Sequence, residues 1–187
     1  MRKHPYQKLL ERKRTWTPVQ PTKGEVKYGA EETIKRALAI RHMELPVGEF
    51  IKEGLEKEVP DIARVLLESN VKDEIKHDLA LGYIVEANGA DSQSEKEALL
   101  LRDAWIEHPD HCLLKALVAE RAIFFVLLPF FRFNGDAALR TVSADISRDE
   151  QIHVGCNTLV CAELGLSPSP SLDKLRKATI NWILQPL

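Results

Sequence analysis

The sequence predicts an all-α fold: a four-helix bundle with one connecting helix and a further helix at the C-terminal end. Three observations carry that prediction. Apolar residues recur at helical spacing almost throughout, and strand signals are nearly absent. Proline, glycine and Asn-Gly punctuate the chain at intervals of whole helices. One pattern occurs twice: Glu44 stands 30 residues before the pair Glu74/His77, Glu120 stands 30 before Glu150/His153, and the two half-sets lie 76 residues apart.

The elements follow in order. Residues 1–28 contain Pro5, Pro18 and Pro21 and read as an extended arm. A first helix starts near 29–32 and runs to about Glu58, kinked at Pro46, where the ring removes a backbone donor. Pro60 opens a second helix that continues to about Ala87, where Asn88-Gly89 ends it. A shorter helix covers Ser92 to Glu107. Pro109-Asp110 open a long helix running to about Phe133, with a kink at Pro129. Asn134-Gly135-Asp136 forms a tight turn, and Asp136 caps a helix that ends at Gly165. The SPSPS segment at 167–171 is a linker. The last helix, Leu172–Leu184, carries Leu175, Thr179, Trp182 and Ile183 on or near one face. The chain thus divides into an arm (1–28), a bundle (29–165), and a linker and helix of the same domain (166–187). Two long helices, a connecting helix and two more long helices form the ferritin-like arrangement.

Composition narrows the class. A chain of 187 residues, 44% hydrophobic and 29% charged, is one domain large enough to bury a core. A net charge of −2 gives no reason to expect nucleic acid as a partner. The basic stretch of Arg2, Lys3, Lys8, Arg12, Lys13 and Arg14 reads as a solvated tail. No secretory leader is visible, and the longest apolar run, Ala122–Phe131, is far short of a membrane span. Cys112, Cys156 and Cys161 lack metal spacing and read as reduced, buried cysteines of a cytoplasmic protein.

Helix geometry connects the repeated pattern to a site. With hairpin turns near Val59-Pro60 and Gly135, Glu44 and Glu74 each lie about 22 Å from their turn, and so do Glu120 and Glu150. Antiparallel packing therefore brings each pair to one height, whereas Glu49 is displaced by roughly 7 Å and Glu53 by more. Within each Glu-x-x-His pair the i, i+3 spacing places both side chains on one face. Glu120 sits in a stretch where, between Cys112 and Phe131, only Lys115 and Arg121 are also charged. A bare carboxylate there would be costly to bury. Glu44, Glu74, His77, Glu120, Glu150 and His153 are the candidate ligands of two metal ions, and such a carboxylate-rich set suits iron or manganese. Asp73 and Asp149, each one residue before a pair, are candidates to accept the free N–H of a ligand histidine. His42, His108 and His111 read as surface or capping residues. Phe124, Phe125, Phe130, Phe131 and Phe133 read as core, with one or two lining a cavity beside the metals.

Local motifs add a resemblance. ISRDEQIH at 146–153 and AERAIFF at 119–125 resemble the metal-binding helices of the ribonucleotide reductase small subunit, and KDEIKH at 72–77 fits that family's earlier Glu-x-x-His helix. The resemblance implies that the six residues bind two metals, usually iron, sometimes manganese or a manganese–iron pair. It implies that Asp149 contacts a ligand histidine, and that the site reacts with O₂ together with a small-molecule substrate or electron donor, in a chain that can form a homodimer. The position of the family's radical tyrosine is Leu81 here, and the nearest tyrosine, Tyr83, points from another face. The chain is shorter than typical family members, and Leu187 follows soon after a helix. The reading is an O₂-activating oxidase or oxygenase. The alternatives are a divergent reductase small subunit without the usual tyrosyl radical, and a ferritin-like ferroxidase.

Overall fold

The computed structural model describes residues 4–185; Arg2 and Lys3 of the basic stretch and the last two residues of the C-terminal segment lie outside these. Among the described residues every regular element is helical. Helix α1 (Pro5–Leu10) interrupts the arm, which the sequence suggested would be extended throughout. Pro5 takes the first helical position, where its missing N–H is no loss. Tyr6 is buried and donates its hydroxyl to Glu163 at 3.1 Å. Beyond α1 the arm runs along the bundle, fastened by Gln20 to Glu86 at 2.8 Å, by the Gly24 N–H to Asp136 at 3.0 Å, and by the Lys27 N–H to the Asn134 carbonyl at 2.9 Å.

The first long helix is two pieces, not one kinked piece. Helices α2 (Glu31–Ala39) and α3 (Glu44–Leu55) are joined by a 3₁₀ segment, Ile40–Met43. Pro46 cannot donate to the carbonyl four residues back, and its ring crowds that carbonyl, so the change of winding falls just ahead of it. Helix α3 stops at Leu55, short of Glu58, and Val59 is disfavoured in helix by Pro60. Helix α4 (Asp61–Asn88) starts with Pro60 outside it as the cap residue. Helix α5 (Ser92–Glu107) lies as expected, with Asp91 accepting the Ser94 N–H at 2.7 Å.

The third long helix opens later than Pro109-Asp110. Helix α6 (Cys112–Ala122) is capped by His111, whose Nδ1 accepts the Leu113 N–H at 3.2 Å. It widens into a π-helical turn, Ile123–Leu127, before α7 (Leu128–Asn134). The disturbance expected at Pro129 takes this form: Pro129 has no N–H for Phe125, and the Leu128 N–H reaches back to Ile123. The wider turn brings Leu127, Leu128 and Phe131 fully inside and leaves Phe125 and Phe133 63% and 78% exposed, so these two are not core. Helix α8 (Ala137–Glu163) is capped by Asp136, which accepts from Leu139 at 2.8 Å. The chain then turns at Gly165, whose φ of 64° is one that a side chain resists. Helix α9 (Pro170–Leu184) follows, starting two residues earlier than expected.

Helix α3 packs on α4, α4 on α8, α8 on α6 and α7, and α6 back on α3, which closes a four-helix bundle. Its core includes Val47, Ile51, Leu67, Leu81, Leu113, Leu127, Ile146 and Val160. Helix α1 rests on α4 and α8, while α5 reaches α2 and α9, where buried Trp105 donates to Thr179 at 3.0 Å. The three cysteines are free and buried. Among the described residues no helix is long and apolar enough to cross a membrane.

Candidate metal centre

All six side chains singled out by the repeated spacing are buried and meet in the middle of the bundle. Helix α3 supplies Glu44, α4 supplies Glu74 and His77, α6 supplies Glu120, and α8 supplies Glu150 and His153. Two overlapping groups could each hold a cation. One comprises Glu44, Glu74, His77 and Glu150, the other Glu74, Glu120 and His153, with ligand atoms in each group within 4.8 Å of one another.

The Glu-x-x-His pairs are not segregated one to a position. His77 Nδ1 lies 3.6 Å from Glu44, 3.6 Å from Glu74 and 3.4 Å from Glu150. His153 Nδ1 lies 3.1 Å from Glu74, 3.5 Å from Glu150 and 3.8 Å from Glu120. Glu74 and Glu150 therefore stand between the two imidazoles, and Glu44 and Glu120 stand at opposite ends. Glu49, the competing carboxylate, points out to solvent and pairs with Lys52.

The outward-facing ring nitrogens are tied down crosswise. His77 Nε2 donates to Asp149 at 3.2 Å, and His153 Nε2 donates to Asp73 at 3.0 Å. Asp73 and Asp149 thus each accept from the histidine of the other pair. Lys76 lies 3.0 Å from Asp73 and 2.9 Å from Asp149, and Lys13 from the arm also pairs with Asp73. Lys13 is therefore part of the site's surroundings and not of a solvated tail. Trp16 donates its indole N–H to Asp149 at 2.7 Å and stacks near His77, with ring centroids 6.2 Å apart.

Sequence reasoning missed this arm and two asparagines. Lys13 and Trp16 carry no local signal, because contact with α4 and α8 is their only qualification. Asn70 and Asn157 were legible in principle: each lies four residues, one helical turn, from a ligand on an inward face. Both are buried and donate to the glutamates.

The electrostatics suit cations. Burial pushes the Glu44 carboxyl up to about 8. Burial, and after it the charge of Glu150, raises Glu120 well above the usual carboxylate range. Burial opposes charge on both histidines, yet their carboxylate neighbours raise His77 and His153 well above the ordinary imidazole value. Burial likewise opposes the charge on Glu74, but His153 and His77 outweigh it and hold Glu74 down to about 2. Protons thus supply the positive charge that the carboxylates require.

The donor set fits metal ions for a further reason. Glu44 Oε1, His77 Nδ1, Glu150 Oε2 and His153 Nδ1 are buried without a hydrogen-bond partner. The ring nitrogens approach carboxylates closely yet make no hydrogen bond to them, and stranded buried polar atoms are costly. Cations at the two positions would give these atoms partners. No protein-family model matches this chain, and no curated protein or solved structure is significantly similar to it.

Proposed function

We propose that this ferritin-like bundle is a non-haem dimetal carboxylate oxidoreductase that activates O₂, with iron, manganese or a mixed pair held by Glu44, Glu74, His77, Glu120, Glu150 and His153. The observation that carries this reading is that four ligand atoms are left partnerless in a buried cluster of four carboxylates and two imidazoles. When bound, a pair of such redox-active metals supplies the electrons and the Lewis acidity for O₂ reduction. The chain's own residues do the rest. Asp73 and Asp149 hold both histidines with Nδ1 turned inward, and the apolar bundle excludes water.

A half-open cleft of about 520 Å³ lies beside the centre, lined by Leu45, Pro46, Phe50, Asp78 and Ile106 among others. Leu45 and Asp78 are the chain neighbours of Glu44 and His77. This supports a small substrate with both apolar and charged groups, approaching from the α3 and α5 side.

A second reading, a divergent reductase small subunit, is favoured by Trp16. Its partly buried indole connects through Asp149 to His77 by hydrogen bonds of 2.7 and 3.2 Å, a route by which an electron donor at the surface can reach the centre. Anaerobic Fe(II) loading followed by O₂ exposure tests the main reading: two metals per chain and stoichiometric O₂ uptake are expected, and binding of no metal would end it. Co-purification with a catalytic subunit would promote the second reading, and a hollow multi-subunit shell by native mass would favour a ferroxidase.

A further inference from the structure

Asn70 on α4 and Asn157 on α8 form an amide pair beside one end of the cluster, and both are buried. Asn70 Nδ2 donates to Glu74 Oε1 at 2.6 Å and to Glu120 Oε1 at 3.1 Å. Asn157 Nδ2 donates to Glu120 Oε2 at 2.7 Å and to Asn70 Oδ1 at 3.2 Å. That last bond sets the direction of the pair: Asn70 Oδ1 is engaged by Asn157, so Asn70 Nδ2 faces the glutamates. Asn157 keeps its N–H₂ toward Glu120 although its Oδ1 is left without a partner. Turning either amide over would set its oxygen against a carboxylate.

The consequence is an asymmetry that the ligand spacing hides. Both oxygens of Glu120 and one of Glu74 are held by amides, and each keeps a second lone pair free for a cation. In the other group, Glu44 Oε1 at the far end and Glu150 Oε2 between the imidazoles have no hydrogen-bond partner. A ligand already held in place loses less side-chain freedom on binding than one that must be ordered by the ion.

We propose that the Asn70–Asn157 pair makes the two metal positions unequal, so that the position formed by Glu74, Glu120 and His153 fills first and the position formed by Glu44, His77 and Glu150 with Glu74 fills second. Asn70 and Asn157 are positioning residues, acting on the metal through Glu120 and Glu74. The inference rests on reading the cluster as a two-metal site.

Anaerobic titration of the metal-free protein with Co(II), followed by calorimetry and visible absorption, tests it. The native chain should bind two equivalents in two resolved steps. Asn157→Leu, of similar size without the donor, should weaken the first step about 10–100-fold, the usual effect of losing a hydrogen bond to a ligand, and leave the second nearly unchanged. Asn70→Leu should weaken the first step as well, and the second to a smaller extent because Glu74 serves both positions. Two steps of unchanged separation in these variants, with only a lower melting temperature, would show that the asparagines merely satisfy buried carboxylates and would overturn the proposal. Should the leucine variants fail to fold, His153→Ala and His77→Ala decide: the first must remove the tight step and the second the weak one, and the opposite pattern overturns the assignment. Two indistinguishable steps in the native chain would sink the asymmetry but leave the dimetal reading standing. No Co(II) binding at all would sink both.

Discussion

His153 donates to Asp73 across 80 residues of sequence, at 3.0 Å, and the bond joins α8 to α4 at the height of the ligand cluster. Its counterpart runs from His77 to Asp149 at 3.2 Å. Each Glu-x-x-His helix therefore orients the histidine of the other, and the two halves cannot be adjusted independently. Asp149→Asn is expected to keep metal bound, with affinity beside His77 lowered about 10–100-fold and reaction with O₂ altered. Metal titration and O₂ uptake check this; complete loss of both metals would make Asp149 a ligand itself.

Metal uptake should release protons and strengthen with rising pH. His77, His153, Glu44 and Glu120 all hold protons more tightly than usual, with Glu44 at about 8, and a ligand must shed its proton to bind. Divalent-metal affinity should climb between about pH 6 and 8. Calorimetry in buffers of different ionisation enthalpy would report the protons released, and an affinity that is flat over this range would contradict the assignment.

The metal-free protein should show a stability maximum on the acid side of neutrality. Glu44 ordinarily titrates at 4.5 and here at about 8, so its contribution is full below 4.5 and is lost as pH rises through 8. The raised histidines act in the same direction. Asp73 and Asp149 are held below the usual aspartate range, so their contribution is present above about pH 4 and is lost as pH falls. Thermal melts against pH should fall on both sides, and loaded metal should abolish the alkaline fall.

Gly54 of α3 faces Leu113 of α6 so closely that an added Cβ would stand 2.3 Å from Leu113 Cδ2 and 2.6 Å from Cγ. Gly54→Ala should destabilise the protein by about 1–3 kcal/mol, as overpacked cores do, measured by chemical denaturation. A neutral result would mean that α3 and α6 separate easily at this end of the bundle.

Oxygenation should leave no persistent tyrosyl radical. Leu81 is buried in the apolar core, and Tyr83, two residues on, turns by about 200° around the helix axis. Electron paramagnetic resonance after O₂ exposure reads this directly. A stable tyrosyl signal lost in Tyr83→Phe would raise the reductase-subunit reading above the oxygenase one.

The helical class, the order of the elements and the convergence of all six Glu and His side chains were legible in the sequence, because each depends on local periodicity. A rise of 1.5 Å per residue carries Glu44 and Glu74 equal distances from one turn, and the calculation needs no third dimension. Local rules also named Asp136 as a helix start. They misplaced the disturbances around Pro46 and Pro129, since a proline acts on a carbonyl four residues earlier and the chain can respond by tightening at Ile40–Met43 or widening at Ile123–Leu127.

Tertiary structure alone decided what lies around the ligands. The crossing of Asp73 to His153 and Asp149 to His77 depends on the angle and offset between α4 and α8, which periodicity leaves open. Trp16 and Lys13 reach the site only because α1 docks on those two helices and carries the arm with it. Asn70 and Asn157 each sit one turn from a ligand, but two helices must approach before one amide can donate to the other. Spacing along a helix specifies which side chains share a face; which partner each one meets is set by how the faces pack.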